Sequence, residues 1–257
     1  MERRHTRSQG LGRADLLDRG RHVVSVRSEV DLPAAQLAHE ALPRRDLQAK
    51  TGAHSLRQVD ETVGRQEVSR RAVFLDRDGV INRERGFVLQ PAELEPVDGL
   101  ARDLRSLSEA GYLLVVITNQ SAVARALLDW PTLRAIHERL QRAADGALDA
   151  IYVCPHHPSA GATPMTRACN CRKPSPGLLQ RAARDLHLDL ARSWLIGDAP
   201  RDVAAAHAVG AQPILVCGEK CKSAAQWPAQ ATPPVAFVQD LTEATAHIAE
   251  ARAGQPN

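Results

Sequence analysis

Two aspartates at the end of an apolar segment are the residues of this sequence best suited to chemistry. Residues 72–75 are apolar and are followed by Asp76, Arg77, Asp78 and Gly79. An acid at the end of a buried strand is costly unless it is paired or binds a cation. Two such acids before a turn-forming glycine indicate a site for a hard metal ion and a nucleophile. The alternative interpretation is a solvated Asp-Gly turn, which is common.

Two later apolar segments also end in polar residues. The segment YLLVVIT ends in Thr118, which Asn119 follows, and the segment SWLIG is followed by Asp198 and then by Asp202. A strand that ends in Thr-Asn is nearly uninformative alone, but open α/β sheets carry their sites at the carboxyl ends of strands. Lys173 is the candidate for a positive residue beside them, although taken alone it is better explained as a solvated surface lysine.

The segment between the third apolar run and Lys173 contains a cluster of cysteine and histidine. Cys154, His156, Cys169 and Cys171 offer three sulfurs and one imidazole, which is enough for a closed tetrahedral zinc site. The loop between them is polar and has few apolar residues to fix its shape. The alternatives are unlinked thiols in a flexible loop, or His157 in place of its neighbour as the ligand.

Short apolar segments alternate with amphipathic ones from residue 71 onward. This alternation is typical of βαβ units and of a parallel sheet covered on both faces. We predict strands at residues 72–75, 112–118, 150–153, 193–197 and 213–217. We predict helices within residues 99–110, 131–144, 176–185 and 202–209. The expected fold class is α/β, with a doubly wound parallel sheet of about five strands and the active site at their carboxyl ends.

The composition excludes several classes of partner. The formal net charge is +3, but the excess of arginine lies in residues 1–71 and the rest is close to neutral, so no polyanion-binding surface and no nucleic-acid partner are expected. No apolar run approaches the roughly 20 residues of a membrane span. The basic amino-terminal segment lacks the apolar stretch of a secretory signal, so a cytoplasmic location is the default expectation. All five cysteines lie between residues 154 and 221, which in a reducing compartment indicates metal more than disulfides.

The chain divides into three regions by composition. Residues 1–70 are rich in Arg, Gln, Ser and His and show only one weak helical stretch, near 32–42. We interpret them as a poorly ordered extension, the alternatives being a small folded domain or a start codon further downstream. Residues 71–250 form the predicted catalytic domain, and residues 251–257 a frayed tail.

The motifs quoted above resemble those of the haloacid dehalogenase (HAD) superfamily, in order and at three strand ends. The resemblance implies that Asp76 attacks phosphorus, while Asp78 protonates the leaving oxygen and later activates water. It implies that Thr118 holds the phosphoryl oxygens and that Lys173 supplies a positive charge. It also implies Mg²⁺ bound by Asp76, Asp198 and the backbone carbonyl of Asp78, with Asp202 supporting these ligands.

The cysteine cluster narrows the resemblance to a zinc-bearing branch of that superfamily without a large cap domain. DRDGVIN, TNQS, CPHHP and CNCRKP together resemble the D-glycero-D-manno-heptose-1,7-bisphosphate 7-phosphatases and the related histidinol phosphatases. The resemblance assigns His156 as the histidine ligand of zinc, with Cys154, Cys169 and Cys171. It implies a monomer that takes a small phosphorylated sugar. The residues implied to bind that substrate are Glu84, Arg85, Gly86, Phe87, Asn119, Gln120, Ser121 and Arg172.

Three positions depart from the pattern of the heptose enzymes. Ala122 and Ala126 stand where glycine is usual, and Ala199 stands where a lysine usually follows the aspartate. Unless Lys173 suffices, the loss of that lysine should weaken interactions with phosphate or with the groups around the metal, without abolishing catalysis. The alternatives to a heptose-bisphosphate phosphatase are a histidinol-phosphate phosphatase, a non-catalytic zinc-dependent binding module, and a nucleic-acid phosphatase or binder.

Overall fold

The computed structural model describes residues 39–40, 70–218, 220 and 223–253. Seven strands form one sheet in the order β1-β4-β3-β2-β5-β6-β7. The strands are β1 His39–Glu40, β2 Ala72–Leu75, β3 Leu113–Asn119, β4 Ala150–Cys154, β5 Trp194–Gly197, β6 Gln212–Val216 and β7 Ala236–Val238. The helices are α1 Leu100–Glu109, α2 Trp130–Ala143, α3 Gly177–Leu186, α4 Pro200–His207 and α5 Leu241–Ala253. β1 is antiparallel to β4, and the other six strands are parallel.

Helices cover both faces of the sheet. Successive side chains of a strand point to opposite faces, so Val73 and Leu75 of β2 enter one apolar cluster while Ala72 and Phe74 enter the other. The first cluster takes its helical residues from α1, α2 and α5, and the second takes them from α3 and α4. Burial on both faces explains why β2 is apolar at every position. The predicted doubly wound α/β class is therefore confirmed.

The strands and helices predicted from residue 71 onward agree with the observed ones within one or two residues, but β1, β7 and α5 were missed, so the sheet has seven strands where about five were expected. β7 has only three residues, and α5 is rich in alanine, so neither carries a strong periodic pattern. Most of the helical stretch predicted near residues 32–42 lies outside the described residues. His39 and Glu40, which are described, form a strand instead of a helix. Within the described part of the chain, every helix is too short or too polar to span a membrane.

The glycine expected at position 126 has a structural reason. Ala126 has φ of 55°, in the left-handed region where residues other than glycine are strained. The strain costs an alanine roughly 1–2 kcal/mol. The backbone after β3 therefore forms a turn that favours glycine, although the residue at this position is Ala126.

Candidate active site and metal centre

The carboxyl ends of four adjacent strands bring the predicted site residues together. β4, β3, β2 and β5 are neighbours and run parallel, so their carboxyl ends share one edge of the sheet. Asp76 follows β2, Thr118 and Asn119 end β3, Cys154 ends β4 and Asp198 follows β5. The parallel topology therefore gathers groups that are far apart in sequence.

Asp76 is buried and held from one side. Its Oδ1 accepts a hydrogen bond from the backbone N–H of Arg77 (2.7 Å) and lies 3.0 Å from Nζ of Lys173. Burial raises the pKa of the Asp76 carboxyl, although the ammonium of Lys173 opposes this shift. The second carboxylate oxygen, Oδ2, is left facing Arg201 at 3.7 Å. One oxygen is thus fixed, and the other is available for chemistry.

Lys173 is a buried cation whose three donor directions all have acceptors. Its Nζ donates to the carbonyl of Ile117 (2.8 Å) and pairs with Asp76 and with Asp202 (2.7 Å). Burial disfavours the ammonium, but these two carboxylates outweigh it and raise the pKa of Lys173. Asn119 clamps the backbone of Lys173 through both ends of its amide, at 3.1 and 3.2 Å. The lysine is therefore a positioned countercharge and not a surface residue.

Asp78 is held in a network of donors. Arg77 donates to both of its carboxylate oxygens (3.0 and 2.8 Å), and Asn82 and Gln120 each donate at 3.0 Å. Burial opposes ionisation, but Arg77 and these hydrogen bonds together lower the pKa of Asp78. A carboxyl that acts as a general acid must release some of these donors, because in this arrangement it is an ionised acceptor.

Gln120 lies inside this network of hydrogen bonds. Only 5% of the residue is exposed; it donates to Asp78 and to Oγ1 of Thr118 (2.8 Å) and accepts from Arg77 (3.0 Å). The resemblance implied a direct contact between Gln120 and substrate. The geometry places it as a bridge between Asp78 and Thr118.

Asp198 is the carboxylate with a free oxygen. Its Oδ2 accepts from Nζ of Lys220 at 2.7 Å, whereas its Oδ1 is buried and has no hydrogen-bond partner among the described residues. Burial, followed by the charge of Asp76, raises the pKa of Asp198 to about 7. Gly79 has φ of +89°, and a Cβ there would lie 2.0 Å from Oδ2 of Asp198, so only glycine fits.

These carboxylates suit a hard divalent cation. Asp76, Asp198 and Asp202 bring carboxylate oxygens within 4.8 Å of one another. Asp202 is fully buried, pairs with Lys173 and accepts from the backbone N–H of Ala199 (3.1 Å), so it supports the other two. The oxygen of Asp198 that lacks a hydrogen-bond partner, and the pKa of Asp198 that burial and then Asp76 raise, both show negative charge that the protein stabilises incompletely. A cation such as Mg²⁺ fits that charge.

The four predicted zinc ligands lie in one cluster of tetrahedral size. His156 Nδ1 is 3.3 Å from Cys171 Sγ and 3.8 Å from Cys154 Sγ. Cys169 Sγ is 3.7 Å from Cys154 Sγ and 3.4 Å from Cys171 Sγ. A tetrahedron with zinc–sulfur bonds of about 2.3 Å has sulfur–sulfur edges of about 3.8 Å, which is close to this spacing. The donor set therefore fits zinc.

The thiols of this cluster share protons unevenly. The interaction with Cys154 lowers the pKa of Cys171 to about 5, and burial opposes that shift only in part. The same interaction raises the pKa of Cys154. A low-pKa thiolate is the form that binds a metal. His157 lies outside the cluster, since its Nδ1 accepts from the backbone N–H groups of Ser159 and Ala160.

The predicted substrate-binding residues lie at three loops, which follow β2, β3 and β4. Glu84 pairs with Lys220 and accepts from the backbone N–H of Gly86, while Arg85 pairs with Glu95 at the surface. Phe87 is 44% exposed.

In the loop after β4, Arg172 donates to the carbonyl of His156 (3.1 Å), and so it is tied to the cysteine cluster. Ser121, after β3, accepts at its carbonyl from the backbone N–H of Arg125. Among these residues, Glu84 is linked to the carboxylates, because Lys220 pairs with both Glu84 and Asp198.

Four further residues of the site were not singled out from sequence. They are Arg77, Asn82, Arg201 and Lys220. Arg77 could have been found from its place between the two acids. Lys220 lies 22 residues after Asp198, and its contact has no local sequence signal.

Comparison with known proteins agrees with this geometry. The 7-phosphatase of D-glycero-β-D-manno-heptose 1,7-bisphosphate from Salmonella typhi is 39% identical over 165 residues, which cover 61% of this chain and 88% of that protein. This chain therefore belongs to the heptose-bisphosphate phosphatase family. The Escherichia coli K12 relative is 38% identical over 61% of this chain and 86% of its own length. The resemblance inferred from the motifs is thus confirmed.

Solved structures and a family model support the same membership. The D,D-heptose 1,7-bisphosphate phosphatase of B. bronchiseptica, complexed with magnesium and phosphate, superimposes with a TM-score of 0.62 at 35% identity. That match covers 70% of this chain and 99% of the other. A family model described as HAD-hydrolase-like matches residues 170–244. This member of the family is a phosphoric monoester hydrolase.

Proposed function

We propose that this phosphatase removes the 7-phosphate of D-glycero-D-manno-heptose 1,7-bisphosphate through a phospho-aspartate on Asp76. The observation that carries the proposal is the geometry of Asp76, one oxygen of which is fixed by Lys173 and Arg77 while the other faces the site. The similarity to heptose-bisphosphate phosphatases over most of their length supports the substrate. Residues 71–250 are proposed to carry this activity as a monomer.

The first half of the proposed reaction forms the phospho-enzyme. Oδ2 of Asp76 attacks phosphorus, the bond from phosphorus to the sugar oxygen breaks, and Asp78 gives its proton to that oxygen. Lys173 balances the charge on Asp76, and the hydroxyl of Thr118 donates to a phosphoryl oxygen. The donors around Asp78 must loosen before this step, because they favour its ionised form.

The second half returns the enzyme to its starting state. Asp78, now ionised, takes a proton from water, and the oxygen of that water attacks phosphorus. The bond from phosphorus to Asp76 breaks, inorganic phosphate leaves, and Asp78 again carries a proton. Arg77, Asn82 and Gln120 stabilise the ionised Asp78 that this half requires.

We propose that Asp76, Asp198 and the backbone carbonyl of Asp78 hold Mg²⁺. A bound Mg²⁺ supplies positive charge to a phosphoryl group that would otherwise be repelled by these carboxylates. The unpartnered Oδ1 of Asp198 supports this assignment. Cys154, His156, Cys169 and Cys171 are proposed to hold a structural Zn²⁺, which fixes the loop that carries Arg172 and Lys173.

The proposed magnesium site predicts a pH dependence of metal binding. Because burial raises the pKa of Asp198 to about 7, protons compete with Mg²⁺ for its carboxylate below that pH. We expect the dissociation constant of Mg²⁺, measured by calorimetry, to rise as pH falls, by about tenfold per unit well below pH 7.

Lys220 provides a check on this prediction. Its charge counters the raised pKa of Asp198, so Lys220→Met should move the midpoint of the pH dependence to higher pH. A magnesium affinity that is the same at pH 5.5 and pH 8, two values about one unit or more on either side of the expected midpoint, would contradict the assignment of Asp198.

The substrate is tested by measuring two phosphate esters side by side. We expect kcat/KM for heptose 1,7-bisphosphate to exceed that for histidinol phosphate by at least about tenfold, which corresponds to about 1.4 kcal/mol of transition-state binding. Heptose 7-phosphate serves as the control for the contribution of the second phosphate. A preference for histidinol phosphate by the same factor would replace the substrate but retain the phosphatase mechanism.

A further inference from the structure

Arg201 is an unassigned cation at the reacting edge of the site. It is the second residue of α4, and 35% of its side chain is exposed. Its Nη2 lies 3.7 Å from Oδ2 of Asp76 and 3.6 Å from Oδ1 of Asp198. These are the two carboxylate oxygens that Lys173 and Lys220 leave uncovered. The guanidinium therefore faces the place where the nucleophile meets its substrate.

The donors of Arg201 are not committed to protein acceptors. Both of its carboxylate separations exceed the usual length of a hydrogen bond, and its buried Nε has no partner among the described residues. Lys173 and Lys220, by contrast, reach their carboxylates at 2.7–3.0 Å. If the guanidinium of Arg201 served only to neutralise these acids, we would expect it to lie as near to their oxygens as the two lysines do.

The chemistry of the guanidinium suits a phosphoryl group. Its planar fork of N–H donors matches two oxygens of a phosphate, which a lysine ammonium does not do. The position also has a sequence correlate. Ala199, directly after Asp198, has no charge where the resemblance implies a lysine, and Arg201 restores a cation two residues later, at the start of the next helix.

We propose that Arg201 binds the phosphoryl group that Asp76 attacks and takes over the role of the charge that position 199 lacks. The inference rests on the proposed function, because it takes Asp76 as the nucleophile. Arg201 adds positive charge beside the attacking Oδ2 of Asp76 and beside Oδ1 of Asp198, so it favours the binding of an anion there and disfavours the binding of a cation.

The test compares Arg201→Met with Arg181→Met. Arg181 is a helical arginine of similar exposure (30%) that pairs with Asp185 on α3, away from the carboxylates. Binding of inorganic phosphate in magnesium buffer is measured by calorimetry, and binding of Mn²⁺ alone by electron paramagnetic resonance. In Arg201→Met we expect phosphate binding to weaken about tenfold and Mn²⁺ binding to stay the same or tighten. Arg181→Met should leave both affinities at the wild-type values.

Two rescue variants sharpen the result. Arg201→Lys should recover part of the lost phosphate affinity, and Ala199→Lys added to Arg201→Met should recover most of it. If Arg201→Met weakens phosphate binding by less than about threefold, the proposal is overturned, because the lost contact should contribute more than that. Equal weakening of phosphate and Mn²⁺ would also overturn it, since that indicates damage to the site as a whole.

The phosphate-binding test of Arg201 and the substrate test can fail independently of each other. If the wild-type enzyme binds inorganic phosphate but does not hydrolyse heptose 1,7-bisphosphate, the proposed substrate fails, and the role of Arg201 is still decided by the phosphate affinities. If the enzyme hydrolyses the heptose but Arg201→Met binds phosphate normally, the role of Arg201 fails and the proposed function stands.

Discussion

Asp76→Asn is expected to abolish phosphatase turnover while leaving the protein folded. The amide is nearly isosteric, but it cannot form the acyl phosphate that the mechanism requires. We expect kcat to fall by at least about 10³-fold, in line with the loss of a nucleophile in other enzymes. The measurement is release of inorganic phosphate from the heptose bisphosphate. Reduction of trapped acyl phosphate with borohydride should yield homoserine at position 76 only in the wild type.

The stability of this variant is a second readout. Burial raises the pKa of Asp76, which means that the fold disfavours its ionised form. Removal of that charge should therefore leave the melting temperature of the metal-free protein at pH 8 unchanged or higher. Lys173 keeps its contacts with Asp202 and with the carbonyl of Ile117.

Asp103→Asn is the matched control for this substitution. Asp103 is a buried acid on α1 that pairs with Arg102 and accepts from Thr242, outside the site. Asp103→Asn should lower the melting temperature and leave the rate of phosphate release at the wild-type value. Wild-type turnover by Asp76→Asn would exclude a covalent mechanism on this residue.

Cys169→Ser is expected to remove the zinc and to destabilise the loop that carries Lys173. The cluster of Cys154, His156, Cys169 and Cys171 holds together a polar segment with little apolar packing of its own. Elemental analysis should show about one zinc per wild-type chain and much less in the variant. We expect the melting temperature to fall by on the order of 5–10 °C, which corresponds to a few kcal/mol for a domain of this size.

Two controls separate zinc loss from other effects. Cys217→Ser makes the same chemical change outside the cluster and should leave the zinc content unchanged. His156→Ala should lose zinc, whereas His157→Ala should retain it, because the ring of His157 accepts from the backbone of its own loop. Full zinc content and an unchanged melting temperature in Cys169→Ser would refute the assignment.

The sequence could predict most of the fold because its central strands are buried on both faces. Segments such as residues 72–75 and 113–117 are continuously apolar, and a strand covered by helices on both sides requires this. β7 and α5 escaped prediction for the opposite reason. β7 is very short, and α5 is rich in alanine along its whole length, so tertiary packing and not an amphipathic pattern stabilises them.

Asp78 shows what residue types and order do not reveal. The acid itself was evident from its place two residues after Asp76. Its ionised state was not, because it depends on Arg77, whose guanidinium folds onto it, and on Gln120, which reaches it from the end of β3, and both lower its pKa. Gln120 was expected to contact substrate, yet it lies buried between Asp78 and Thr118.

The sequence by itself identified the groups suited to chemistry: the two acids after β2, the third after β5, and the four residues of the cysteine cluster. Each belongs to a local motif whose residue types and spacing limit what it can do. Only the tertiary structure decided how the charges are shared. Lys220 covers one oxygen of Asp198, while Arg201 faces the other at a distance too long for a hydrogen bond. Such contacts depend on how strands and loops distant in sequence pack at one edge of the sheet, and no local pattern encodes them.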